Sequence, residues 1–176
     1  MILILAILPP LLIAYYVYQK DKYDKEPKSL IIKSFLFGCL GIIPAIFLEL
    51  FAKGMFTNLF LYVFIGIALV EEGVKYFFLK KYLFNKPDFN EPMDGIVYAV
   101  MISLGFATVE NIFYVFNHPG QEIQVAVMRM FTAIPLHAVC GIILGYFVGL
   151  AKFSDNSKPL LYKGIFLATL VHGLYN

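Results

Sequence analysis

The chain has 176 residues, 60% of them hydrophobic and 15% charged, with a mean hydropathy of +0.77. A soluble domain is nearer half apolar, and one of this size still exposes about a third of its chain surface, so the solvent here is lipid and the expected class is an all-α polytopic membrane bundle. A net charge of +2 gives no footing for nucleic acid, and Cys39 and Cys140, both inside apolar runs, form neither a disulfide framework nor a metal thiolate pair.

A spanning helix needs about 20 mostly apolar residues. Six runs qualify in chain order, over 2–19, 29–51, 57–79, 93–116, 123–151 and 160–176. The first is taken as a true span and not a signal peptide. It lacks a basic lead, and Pro9-Pro10 is followed by bulky Tyr15, Tyr16 and Tyr18 where small residues are expected. Eighteen Phe, twelve Tyr and no Trp leave tyrosine to occupy the interfacial belts. The connections are short and turn-rich, such as Lys86-Pro87-Asp88 and Asn117-His118-Pro119-Gly120. No second domain fits between them, so residues 1–176 are one membrane domain. The sixth run reaches Asn176 only about 17 residues after it starts, short for a span, and a longer native chain is expected.

Lysine sorts the loops. Lys20, Lys22, Lys25 and Lys28 flank the first, Lys80, Lys81 and Lys86 the third, and Lys152, Lys158 and Lys163 the fifth, against Lys53 alone in the second and fourth. The positive-inside rule then puts the odd loops in the cytoplasm and the N-terminus outside.

Several polar groups lie where lipid penalises them. An ionised side chain at the bilayer centre costs about 2.5–3.5 kcal/mol on insertion scales. The third run nevertheless holds Glu71, Glu72 and Lys75, the fourth Glu110 and Asn111, the fifth Arg129 and His137, and the sixth His172 and Asn176. Residues four apart share a helix face, which pairs Glu71 with Lys75, Phe106 with Glu110, and His172 with Asn176. Glu71 and Glu72 are neighbours and diverge by about 100°, so one is expected to face a cavity while the other pairs with Lys75. His137 heads a four-residue series through Gly141, Gly145 and Gly149, a stripe that lets another helix close in and turns His137 into the bundle. Pro135 is expected to loosen that helix. Arg129 is expected to snorkel to the interface, Glu49 to reach the interface from the end of its span, and Asn111 and Tyr114 to bond between helices.

Four spans supplying ionisable groups to the bilayer interior form a set suited to hydrolysis. A carboxylate or imidazole takes a proton from water, and an amide or imidazole N–H stabilises the oxyanion. The same groups also suit a proton relay or transporter, a scaffold for partner helices, or a metal-dependent membrane protease.

Glu71-Glu72-Gly73-Val74-Lys75 resembles the EExxK signature of the PrsW family, within the CAAX-protease and bacteriocin-processing superfamily. Phe106-Ala107-Thr108-Val109-Glu110-Asn111 resembles its second motif, and His172-Gly173-Leu174-Tyr175-Asn176 its third. The three stand in order within residues 57–176. The resemblance implies a bacterial plasma-membrane, glutamic-type intramembrane protease with no metal or other cofactor. Its implied substrate is a single-pass membrane protein, an anti-sigma factor cut at site 1 during stress signalling. Within that reading Glu71 is the expected general base with Glu72 as alternate, Lys75 holds the second carboxylate, His172 and Asn176 orient the scissile carbonyl or stabilise its oxyanion, and His137 is a third partner. Glu110 stands where the CAAX branch has histidine, and Phe106 is a supporting residue.

Overall fold

A computed structural model describes residues 2–176. They form one all-helical bundle. Helix α1 spans Ile2–Lys20 and α2 spans Lys28–Met55. Helix α3 covers residues 59–83, as an α turn Leu59–Leu61, a π stretch Tyr62–Ala68, a regular segment Leu69–Phe78 and a second π stretch Leu79–Leu83. Helix α4 is Pro92–Phe116, α5 is Glu122–Phe131, α6 is Ala133–Lys152 and α7 is Ser157–Tyr175. The six expected runs are all present, with α5 and α6 together forming the fifth.

Four of these columns are long and apolar enough to cross a membrane, namely α1, α2, α4 and the α5–α6 unit. The other two, α3 and α7, carry Glu71, Glu72, Lys75 and His172, and these groups lower their hydropathy. The lipid-facing side of α2 shows Ile32, Leu36, Ile43, Phe47 and Leu50, all exposed at three- to seven-residue steps. Water would penalise such a stripe, whereas hydrocarbon does not.

Helix α4 is the central post. Val97 through Thr108 is buried without a break, so this helix has protein on all sides. With no hydrophobic drive between helices in lipid, close van der Waals approach has to hold the bundle, and glycine provides it. A Cβ on Gly95 would lie 2.7 Å from the Gly149 nitrogen, and one on Gly141 would lie 3.0 Å from Cα of Val100. The stripe that continues from His137 therefore seats α6 on α4 backbone to backbone. On another face of α4, Gly38 of α2 meets the Ile102 backbone and Gly105 meets Phe35.

The chain breaks between α5 and α6 at Thr132 (φ −120°, ψ −77°), three residues ahead of Pro135. Pro135 sits in the first turn of α6, where no backbone N–H bond is required of it. The expected loosening therefore falls before the proline.

One end of the bundle gathers loops 21–27 and 84–91. The Asn90 amide donates to Asp24 (2.8 Å), the Tyr98 hydroxyl donates to Glu26, and Asp94 caps α4 by accepting from the Asn90 and Glu91 backbone (2.7 and 2.8 Å). Lys152 closes the fifth connection onto the Phe84 carbonyl at this same end. Burial beside Asp94 and Asp21 pushes the Glu26 carboxyl up to about 9. The opposite end carries Asn58, Asn117, His118 and Asn176.

Candidate active site

Glu71 and Glu72 start the regular segment of α3 just after its first π stretch, where the Leu69 N–H reaches back five residues to the Phe64 carbonyl. A π turn offsets the side chains that follow it and is frequent at functional sites. Here it precedes two buried carboxylates, at 4% and 0% exposure.

Lys75 is the hub. Its ammonium lies 2.8 Å from Glu72 Oε1, 3.0 Å from His137 Nδ1 and 3.4 Å from Glu71 Oε2, over the Phe106 ring with 4.5 Å to the centroid. An ammonium has three protons, and three acceptors meet them. His137 Nδ1 therefore accepts, and its Nε2–H donates to Glu110 Oε2 at 2.9 Å. Glu110 is held again by Arg129 at 2.6 Å, and Arg129 Nε donates to Asn111 Oδ1 at 2.6 Å.

His172, in the last turn of α7, donates from Nδ1 to Glu72 Oε1 at 2.8 Å. Its Nε2 then lies 3.9 Å from Glu71 Oε2, and its ring meets His137 edge-on at 5.2 Å. The two glutamates divide as their geometry requires. Glu72 is tied to Lys75 and His172, whereas Glu71 lines a cavity of about 680 Å³. That cavity carries Glu49, Glu110, Tyr62 and Asn117 among its walls, and Asn176 stands on it and on a second cavity of about 370 Å³ shared with His137 and His172.

All eight residues singled out in the sequence come together: Glu71, Glu72, Lys75, Phe106, Glu110, His137, His172 and Asn176. Three others change place. Arg129 does not snorkel, because the break at Thr132 turns the end of α5 toward Glu110, and Tyr114 stacks under the guanidinium at 4.0 Å instead of bonding between helices. Asn111 does bond between helices, donating to the Ala6 carbonyl at 3.2 Å. Glu49 was expected at the interface and instead lines the Glu71 cavity. Its sequence neighbours carry no mark of this, since it depends on α2 packing beside α3.

The chain matches a family model described as "PrsW family intramembrane metalloprotease" over residues 26–176. It is 35% identical over 171 residues to Protease PrsW of Geobacillus kaustophilus, covering 96% of this chain and 75% of that protein. It is 38% identical over 178 residues to Protease PrsW of Oceanobacillus iheyensis, covering 99% and 81%. With Protease PrsW of Bacillus subtilis it shares 33% over 174 residues, covering 97% and 78%. No solved structure matches.

A metal raises a question of fit. Glu71, His137 and His172 bring donor atoms within 4.8 Å of one another, as do Glu72, Cys140 and His172. Zinc sites take three or four protein ligands. Both ring nitrogens of His137 are already bonded, one of them to the Lys75 ammonium that also contacts Glu71. In the second set Glu72 Oε1 is held by Lys75 and His172, and the Cys140 thiol donates to the Ala168 carbonyl at 3.6 Å. Arranged around a resident cation in this way, the donors do not fit a metal.

Proposed function

The chain belongs to the PrsW family of intramembrane proteases, and from that premise we propose that it hydrolyses a peptide bond of a single-pass membrane protein with Glu71 as the base that activates water. Membership among proteases sets aside the transporter and scaffold alternatives. The observation that carries the assignment of the base is the division of labour between the adjacent glutamates: Glu71 opens onto a cavity, and Glu72 is committed to Lys75 and His172.

The chemistry follows from the atoms in place. Glu71 takes a proton from water, and the hydroxide adds to the scissile carbonyl carbon. Charge develops on the carbonyl oxygen, where the Asn176 amide at the cavity wall is the donor, worth about 3–4 kcal/mol in comparable sites. The proton held by Glu71 passes to the departing nitrogen, the C–N bond breaks, and a carboxylic acid, which keeps the hydroxide's proton, and an amine leave. Glu72 fixes the His172 ring through Nδ1, so Nε2 stays directed at Glu71. Lys75 gives the two buried carboxylates a counter-ion, since an unpaired buried charge is strongly disfavoured. His137, Glu110 and Arg129 form a chain behind it that holds the Lys75 end in position.

The location of the site suits a substrate cut near the end of its span. Glu71, His137 and His172 lie roughly 18–22 Å of helix from the lysine-rich end, against a hydrocarbon core of about 30 Å. The cavity reaches His118 and Asn176 at the opposite end, the outer side under the positive-inside rule. A regular helix hides its amides, so the substrate segment has to be partly unwound there. An anti-sigma factor in a bacterial plasma membrane is the substrate that the family resemblance implies, and Glu71 without a metal is the catalytic type that the donor geometry supports.

The test is cleavage of single-pass substrates by purified protein in liposomes, with and without strong chelators. Full activity in chelator supports a metal-free glutamate mechanism. Activity lost in chelator and restored by stoichiometric zinc overturns it.

A further inference from the structure

We propose that the outer cavity selects a substrate segment bearing a lysine or arginine side chain, and that Glu49 is the specificity residue that receives it. This inference rests on the protease function proposed above. Glu49 lies on α2, six residues before the helix ends, about 9 Å of helix inside that end. It lines the same cavity as Glu71 and Glu110, alongside an apolar wall that includes Ile42, Ile46 and Ile67.

Among the described residues no cation answers it. The ion pairs of the bundle join Lys75 and His172 to Glu71 and Glu72, and join Arg129 and His137 to Glu110; none includes Glu49. Lys53, one turn further along α2, is exposed and makes no pair with it. Glu110 pairs with Arg129, and Glu71 faces Lys75, so Glu49 is the acid of this cavity that the bundle leaves without an ion-pair partner.

A carboxylate among apolar side chains within the bilayer is costly without a partner. The helix bundle does not provide one, whereas an arriving ammonium or guanidinium does, and attraction in a partly desolvated cavity exceeds that on an open surface. An acidic side chain in the same place meets repulsion, so discrimination works in both directions. The volume of about 680 Å³ falls in the range of cavities that enclose a ligand of several residues' bulk. Tyr62, on the first π stretch of α3, stands on the same cavity wall.

The probe is a set of labelled single-pass peptides, each an apolar span with a neutral outer flank in which Lys, Gln or Glu is scanned over six successive positions. Binding is measured to Glu71→Gln protein in nanodiscs. At one or two positions Lys is expected to tighten Kd about tenfold over Gln, and Glu to weaken it. Adding Glu49→Gln should erase that preference, and Glu49→Lys should reverse it in favour of Glu. Equal binding of Lys and Gln peptides at every position, or the same preference in all three proteins, overturns the inference. Cleavage of the same peptides by protein with Glu71 intact reports separately on the protease function. A Lys preference without cleavage refutes catalysis alone, and cleavage without a preference refutes the role of Glu49 alone.

Discussion

Replacing Lys75 by methionine should damage both fold and activity, and the size of the effect follows from its surroundings. The side chain is 1% exposed and holds Glu72 at 2.8 Å, His137 at 3.0 Å and Glu71 at 3.4 Å. At an effective dielectric near 20, each carboxylate attraction is on the order of 5–6 kcal/mol before desolvation is subtracted. Methionine keeps the length and removes the charge, leaving two buried carboxylates without a counter-ion. Breaking such a pair costs about 3–5 kcal/mol. Thermal unfolding in detergent should show a midpoint lower by roughly 10 °C, and cleavage at neutral pH should fall below one per cent. The double variant Lys75→Met/Glu72→Gln should recover part of the lost stability, because it removes one orphaned charge, while remaining inactive. A methionine variant as stable and as active as the parent would refute the hub role of Lys75.

Glu26, in the loop before α2, has its carboxyl raised to about 9 by burial beside Asp94 and Asp21. A raised acid contributes stability below its unfolded value near 4.5 and loses it as pH climbs toward 9, so Glu26→Gln should unfold a few degrees above the parent at pH 9 and show a flatter stability profile between pH 5 and 9. Cysteines placed at Lys53 and His118 should label from outside intact cells and those at Lys22 and Lys86 only from inside; the reverse pattern would invert the orientation. Gly145→Leu should dislodge α6 from α4, since even a Cβ there would lie 2.6 Å from Cα of Ile96. Loss of folded, monodisperse protein in detergent would report it.

What was legible in the sequence was whatever depends on helix periodicity. Glu71 and Lys75, Phe106 and Glu110, and His137 with its glycine stripe share faces at four-residue spacing, and burying those faces in one bundle brings them together. Three features lay outside that rule. The π stretch Tyr62–Ala68 shifts the phase of α3 ahead of Glu71, and no residue in Tyr62–Ala68 announces it. Arg129 was expected at the interface from its distance to the end of its run, but the backbone turn at Thr132 redirects it to Glu110. Glu49 joins the site only because Gly38 and Gly41 let α2 approach α4 and α3 closely, an arrangement set between helices and not along one.

The central claim is that Glu71, the glutamate open to the cavity, activates the attacking water. The most direct measurement is the single-turnover cleavage rate of Glu71→Gln protein in liposomes, set against the unaltered chain at equal substrate occupancy. Glutamine keeps the shape and removes the base, so the rate should fall by about 10²–10⁴ while substrate binding persists. A rate within tenfold of the unaltered protein would contradict the account and transfer the role of base to another group.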